Sequence, residues 1–353
     1  MNDVDRIVAS IMRSAVPLDR AAVTRAAAEA KEHQAPIAPH NVIHEAVDAV
    51  VGFGPIEPLL RDPDISDILV NGPTDIWVER FGELTRSDVR FVSDEAIVAA
   101  VRRVIAPLGL RIDRAVPAVD ARLPDGSRLH AIIPPASVDG PVVAVRRFLQ
   151  TVTDMAELVE RGGIDAAGAE ILESAVASRK NILVAGATGS GKTTLLNVLC
   201  GSITTGDRIV TIEDAAELNI VGHVVRLEAH PPNVEGRGEI TIRSLLAHAL
   251  RLRPDRIIVG EVRGPEAADM IQALNTGHAG SMSTVHANGP SEALARIESL
   301  ASMLDSQIAA STLRSQILSA FDLIVFVSRT DTGRGVRSIH VLKPDGMDEV
   351  YRC

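Results

Sequence analysis

Aromatic side chains make up only 2% of the 353 residues: one Trp, one Tyr and six Phe. A surface that stacks successive bases of single-stranded nucleic acid needs aromatic faces, so the sequence argues against that function, and its cores must be built from Leu, Ile, Val and Ala. Positive charge is also in deficit, with 36 Lys and Arg against 46 Asp and Glu and a formal net charge of −10. Proteins that bind polyanions over a whole surface are basic, so stable nucleic-acid binding is not expected, although a local basic ring is compatible with the total. Cysteine is limited to Cys200 and Cys353, too few for a disulfide framework or a Cys-rich zinc site. That usage suits a reducing compartment. No apolar run approaches the ~20 residues of a membrane span, and the opening residues, Met1-Asn2-Asp3-Val4-Asp5-Arg6, are mixed in charge and lack a signal-peptide core. The mean hydropathy of +0.16 therefore reports a large buried core. The expectation is a cytoplasmic protein that reaches a membrane through a partner.

The length allows two domains, each with its own core. Residues 1–50 read as a helical extension, with Ile7, Ile11, Val42, Ile43, Ala46, Val47 and Val50 at helical spacing and Pro36 and Pro39 as breaks. Residues 51–150 read as an α+β domain: short strand-like runs at 65–70, 76–79 and 88–92, a helix at 93–106, then strands near 127–133 and 141–147. Residues 151–353 open on Thr151-Val152-Thr153-Asp154, a connecting segment with Thr153 as the expected helix N-cap. Helices near 154–161 and 165–178 follow. Beyond them, apolar strands at 182–185, 208–212, 256–260, 281–285 and 322–327 alternate with helices at 192–200, 241–249, 264–275, 290–301 and 311–318. Buried strands separated by helices imply an α/β fold with a mostly parallel sheet. The first 45 residues carry no motif.

One run stands out chemically. Gly186-Ala187-Thr188-Gly189-Ser190-Gly191-Lys192-Thr193 follows the apolar stretch 181–185 and precedes Thr194 and a helix-like segment, which is the strand–loop–helix setting of a P-loop. Glycines let the backbone amides wrap a phosphate, Lys192 supplies charge to the β/γ-phosphates, and Thr193 can ligate Mg²⁺. The implied ligands are ATP and Mg²⁺. A second apolar strand, Arg256-Ile257-Ile258-Val259-Gly260, ends in Glu261. In a P-loop enzyme such a strand is expected beside the P-loop strand, delivering its carboxylate to Mg²⁺ or the attacking water. A third, Arg208-Ile209-Val210-Thr211-Ile212, closes on Glu213 and Asp214, with Glu213 the candidate general base. The segment Asn275-Thr276-Gly277-His278-Ala279-Gly280-Ser281-Met282-Ser283-Thr284-Val285-His286-Ala287-Asn288 offers two histidines that can respond to a γ-phosphate. Without cysteines or an H-E-x-x-H pattern they do not make a zinc site, so no metal other than Mg²⁺ is expected.

These four boxes, with the block Leu250-Arg251-Leu252-Arg253-Pro254-Asp255 leading to Gly260-Glu261-Val262-Arg263, stand in the order found in type II/type IV secretion and pilus ATPases, which the chain resembles over about residues 45–330. Gly52-Phe53-Gly54-Pro55-Ile56-Glu57-Pro58-Leu59-Leu60, Val70-Asn71-Gly72-Pro73 and Asp120-Ala121-Arg122-Leu123-Pro124-Asp125-Gly126-Ser127-Arg128 extend the resemblance, most closely toward the CpaF branch that drives tight-adherence (Flp) pili. The resemblance implies a RecA-like P-loop domain behind a smaller α+β domain, with nucleotide held between them. It also implies a ring-shaped homohexamer and an inner-membrane platform protein as partner. Arg128 and Arg146 match the arginines that approach the γ-phosphate, and Arg251, Arg253 and Arg263 rank below them. The sibling reading is a type IV secretion ATPase of conjugative DNA transfer; a different class is a nucleotide-sensing regulatory scaffold. The segment Lys343-Pro344-Asp345-Gly346 departs from the closing segment of the CpaF branch.

Overall fold

A computed structural model describes residues 2–14, 16–147, 152–204, 206–230, 232, 237–304, 309–330 and 333–353. The chain divides into two units, Met1–Leu149 and Gln150–Cys353. Thr151, the expected start of the connecting segment, lies outside the described residues.

The first unit opens on helices α1 (Asp3–Arg13), α2 (Arg20–Gln34) and α3 (Asn41–Val51). Asn2 and Asp19 cap α1 and α2 by accepting the amides of Asp5 and Ala22, which satisfies donors the helices cannot. Ile7 and Ile11 of α1, one turn apart, pack with Val23 and Ala27 of α2 and Val42, Ala46 and Val47 of α3 in a core of their own. Asp48 on α3 is buried and takes the guanidinium groups of both Arg20 and Arg61.

After α4 (Glu57–Arg61) come β1 (Ile65–Asn71), β2 (Ile76–Arg80), β3 (Glu83–Arg86), α5 (Asp94–Ile105), β4 (Ala118–Arg122), β5 (Arg128–Ile132) and β6 (Val142–Arg146). Among the described residues these strands form one six-stranded sheet in the order β3-β2-β1-β6-β5-β4. Neighbours are antiparallel throughout. Alternate residues such as Ile76 and Val78, Leu129 and Ala131, and Val143 and Val145 point into a core shared with Ile97, Ala100, Val101 and Ile105 of α5. The strand expected at 88–92 is absent. Phe81 and Gly82 turn the chain through φ of 53° and 86°, so the third strand begins at once at Glu83. Phe91 is instead a single buried anchor whose amide donates to the Pro73 carbonyl at 2.9 Å. The strand β4 went unforeseen because Asp120 and Arg122 interrupt its apolar residues.

The second unit comprises α6 (Met155–Glu160), α7 (Ala166–Ala177), β7 (Ile182–Gly186), α8 (Lys192–Gly201), β8 (Ile209–Glu213), β9 (Val224–Glu228), α9 (Ile242–Ala249), β10 (Arg256–Val262), α10 (Glu266–Asn275), β11 (Met282–His286), α11 (Pro290–Ser302), α12 (Ala310–Ala320), β12 (Leu323–Thr330), β13 (Gly333–Lys343) and β14 (Gly346–Arg352). The cap of α6 is Asp154, which accepts the Glu157 amide, and not Thr153; the Thr153 amide donates back to the Glu157 carboxylate. The strands form one eight-stranded sheet among the described residues, in the order β14-β13-β12-β7-β11-β10-β8-β9. It is parallel from β9 through β12, and only the β13–β14 hairpin runs antiparallel to its neighbours. Apolar cores cover both faces: Leu183, Ala185, Val210 and Ile212 look one way, Ile182, Val184, Ile209 and Ile258 the other. Strands buried on both sides carry near-continuous apolar runs, which is why they were legible.

One expectation about this sheet is corrected. The Glu261 strand β10 does not lie beside the P-loop strand β7; β11 runs between them. Met282 pairs with Ile182 and Ile258 at one end, and His286 pairs with Gly186 at the other.

Candidate active site

Parallel strands put all their C-terminal ends on one edge of a sheet, and in open α/β sheets ligands collect there. Here that edge carries Gly186, Glu213, Glu261 and His286. After Gly186 the loop turns through Gly189 (φ 69°) and Gly191 (φ 99°), a conformation costly for any side-chain-bearing residue. It passes directly into α8, whose N-terminus has no side-chain cap. The first-turn amides therefore face the loop as anion donors. Lys192 is 8% exposed, and its Nζ donates to the Ala187 carbonyl at 3.0 Å. Burial lowers its pKa, opposed by the charge of Glu261. Thr193 and Thr194 are half-buried in the first turn of α8, while Ala187, Thr188 and Gly189 form an exposed rim.

The intervening strand ties the loop to the acid. Thr188 Oγ1 lies 2.8 Å from His286 Nε2, and His286 Nδ1 lies 3.4 Å from Glu261 Oε1. The other Glu261 oxygen, Oε2, accepts from Arg263 at 2.8 Å. Burial pushes the Glu261 carboxyl up in pKa, but Arg263, Lys192 and His286 together outweigh it, and the net shift is below the ordinary carboxylate value. Glu213 is driven the opposite way. It is 3% exposed, its Oε1 accepts the amides of Glu217 and Leu218 at 2.8 and 2.9 Å, and its Oε2 has no hydrogen-bond partner. Burial raises its pKa against the pull of those two amides. Position 260 must be glycine for this carboxylate to fit, since a Cβ there would stand 2.9 Å from Glu213 Cγ. Two neighbouring carboxylates with pKa values pushed apart are the pattern of a split between proton acceptor and charge partner.

The remaining candidates fall elsewhere. His278 precedes β11, with Nδ1 3.0 Å from the Ala273 carbonyl. It sits at the end of β11 away from His286, and at about 3.3 Å per residue the strand's five residues separate it from the P-loop edge of its own sheet. The structure thus brings His286, and not His278, to the loop. Arg251 and Arg253 precede β10 and lie at that same far end; Arg251 donates to the Ala247 carbonyl at 2.7 Å. Arg263, which follows β10, is the one of the three beside Glu261. Arg128 and Arg146 belong to the first unit, where strand register sets them opposite each other on β5 and β6. Arg122 stands opposite Arg128 on the far side, which makes a row of three arginines across the sheet.

Some supporting residues were missed. Asn181 Oδ1 accepts the amides of Gly280 and Ser281, and its Nδ2 donates to the Ala320 carbonyl at 2.7 Å, which locks the starts of β7, β11 and β12 together. Arg256 is 1% exposed, paired with Asp207 at 2.7 Å and bonded to the Val176 carbonyl. The signal for the latter was a lone arginine opening an apolar strand.

These residues fit a nucleoside triphosphate with Mg²⁺. The uncapped α8 terminus and buried Lys192 suit phosphate oxygens, Thr193 and Glu261 offer hard oxygen donors, and Glu213 Oε2 is a buried polar atom without a protein partner. Among the described residues no group of three or more His, Cys, Asp or Glu is arranged to hold a metal by itself. Mg²⁺ asks for less, since it is commonly held by one or two protein oxygens plus phosphates and water.

The family model described as "Type II/IV secretion system protein" matches residues 49–330. A Mycobacterium tuberculosis (strain ATCC 25618 / H37Rv) protein provisionally named for conjugal transfer is 42% identical over 292 residues, 81% of this chain and 82% of its own. The type IV secretion system protein PtlH of Bordetella pertussis is 34% identical over 310 residues, 80% of this chain and 90% of its own. In fold, the chain is similar to the pilus retraction motor PilT with bound ADP (TM-score 0.59, 22% identity, 80% of each chain). It is also similar to the ATPase DotB of Legionella pneumophila (TM-score 0.57, 20% identity, 82% of this chain and 80% of that one). With its P-loop, acid-ended strands and histidine strand in one parallel sheet, the chain belongs to the Type II/IV secretion system protein family.

Proposed function

We propose that the chain hydrolyses ATP, with Mg²⁺, as a ring-shaped homohexameric motor of a type II/IV secretion or pilus machine. It would work on the cytoplasmic face of a membrane through an inner-membrane platform protein. The observation that carries this reading is the connected set Thr188, His286 and Glu261, in which one histidine on the intervening strand touches both the phosphate loop and the strand-end acid. A loop that merely binds nucleotide has no need of that connection.

Lys192 leaves the Ala187 carbonyl and, with the α8 amides, holds the phosphates. Thr193 and Glu261 would hold the metal, which when bound offsets charge on the β/γ-phosphoryl oxygens. Glu213, whose burial raises its proton affinity, orients a water and takes its proton. His286 exchanges its contact with Thr188 for one that depends on the γ-phosphate. Arg128 and Arg146 supply further cations toward that phosphate, from the same chain or a neighbour in the ring. Among the described residues no helix is long and apolar enough to cross a membrane.

Steady-state phosphate release tests the enzyme: turnover by the wild type and none by Lys192→Ala supports the motor, and equal rates in both would leave a nucleotide-sensing scaffold. The tight-adherence output rests on the N-terminal blocks alone. Relatives named for conjugal transfer and type IV secretion favour a second output, transfer of DNA or protein. A deletion strain separates the two, since loss of surface pili supports the first and loss of conjugal transfer the second. Lys192→Ala should restore neither.

A further inference from the structure

Three of the polar groups set to meet nucleotide and metal already have internal partners: Lys192 the Ala187 carbonyl, Thr188 and Glu261 His286, and Glu261 also Arg263. The last of these contacts concerns the metal. One guanidinium nitrogen of Arg263 is 2.8 Å from Glu261 Oε2, and another is 3.4 Å from Asp214 Oδ2, so a single cation bridges the acids at the ends of β10 and β8. The backbone that places it is held firmly. Glu266, 8% exposed, accepts the amides of Arg263 and Gly264 on one oxygen, each at 2.8 Å. The arginine side chain itself is 57% exposed and has room to move.

We infer that Arg263 is a two-position counter-cation: it covers the Glu261 carboxylate when no metal is bound, and yields that oxygen to Mg²⁺ by moving wholly onto Asp214, with Glu266 fixing the turn from which it swings. The inference rests on the nucleotide-binding reading proposed above. A guanidinium N–H on Oε2 occupies a lone pair the metal would use, and its positive charge repels an incoming divalent cation. Asp214 keeps the displaced arginine paired, and the charge of Glu217 adds attraction. The consequence is a Glu261 carboxylate paired before metal arrives and a metal affinity set partly by which acid Arg263 prefers. Arg263 is on this account a positioning residue for Glu261 and never touches phosphate.

The experiment titrates Mg²⁺ into a fixed concentration of a fluorescent ATP analogue with wild type, Arg263→Gln and Asp214→Asn, and measures analogue affinity in EDTA alongside. Arg263→Gln should lower the Mg²⁺ midpoint about two- to fivefold, as expected for loss of a partly exposed ion pair. Asp214→Asn should raise it by a similar factor, and neither should change affinity in EDTA. Opposite shifts from two exposed side chains are not the signature of misfolding, and thermal unfolding in EDTA checks that both variants fold. An unchanged or raised midpoint for Arg263→Gln overturns the inference, as does a loss of analogue affinity in EDTA, which would make Arg263 a phosphate ligand. If the wild type binds no analogue under any condition, the nucleotide reading itself fails, a result distinct from either.

Discussion

Replacing Glu213 with Gln should make the protein more stable at neutral pH while removing its turnover. The side chain is 3% exposed, one oxygen accepts two amides at 2.8 and 2.9 Å, and the other has no partner. Burial dominates and raises the pKa, so the folded state holds this proton more tightly than the unfolded chain. The stability Glu213 contributes is therefore fully present below its unfolded pKa and is lost as pH rises through the raised folded value. Each tenfold gain in proton affinity is worth about 1.4 kcal/mol, drawn off once the group ionises. Glutamine keeps the oxygen that accepts the Glu217 and Leu218 amides and carries no charge, so it escapes that loss. Urea unfolding of both proteins from pH 4 to pH 8 should give similar stabilities at the acid end and a growing advantage for Glu213→Gln toward pH 8. Phosphate release by the variant should fall by about a hundredfold or more, as for loss of a general base. A variant less stable than wild type at pH 8 but not at pH 4 would mean the ionised carboxylate is stabilising, and the argument from burial would be refuted.

Three further outcomes follow from the same geometry. His286→Ala should cut turnover by about a hundredfold, as for loss of a preorganised polar group, whereas His278→Ala should leave nucleotide affinity unchanged and cost about 1 kcal/mol for its hydrogen bond to Ala273; equal kinetic defects would contradict the placement of the two histidines. Arg256→Met removes the buried partner of Asp207, which keeps only the more exposed Arg179, and one of the donors to the Val176 carbonyl, and should cost about 3 kcal/mol in urea unfolding, as breaking a buried ion pair does. Cys200 is 2% exposed and burial drives its thiol pKa far up, while Cys353 is exposed. A thiol reagent should therefore label Cys353 alone in the native protein and both cysteines in denaturant, and native labelling of Cys200 would show that α8 does not pack as described.

The sheet of the second unit was legible because its strands are buried on both faces and separated by amphipathic helices, so that runs such as Ile182-Leu183-Val184-Ala185 have no competing reading. Edge elements were not legible. The strand β9 is only half-buried and ends in Arg226-Leu227-Glu228, and β13 and β14 mix Arg, Ser, His, Asp and Glu with their apolar residues, so neither periodicity dominates. Phosphate-loop chemistry could be read from spacing, because glycine, lysine and threonine are close in the chain. Strand order could not: only the fold shows that β11 separates β7 from β10, and only that order explains why His286 touches both Thr188 and Glu261 while His278, eight residues earlier in the chain, touches neither. The roles of Glu266 and Asp214 were equally hidden, since each acts by holding Arg263, and no local pattern marks a residue that positions another.

Glu261, tied to the P-loop by way of His286, is central as the acid that would hold the metal for hydrolysis, while Lys192 and the α8 amides would hold the phosphates. Single-turnover measurement with ATP and Mg²⁺ on Glu261→Gln tests that role most directly. At saturating Mg²⁺ the variant should bind ATP with affinity near that of the wild type and hold it unhydrolysed, since Lys192 and the α8 amides are untouched. Hydrolysis at the wild-type rate by Glu261→Gln would contradict the site as described.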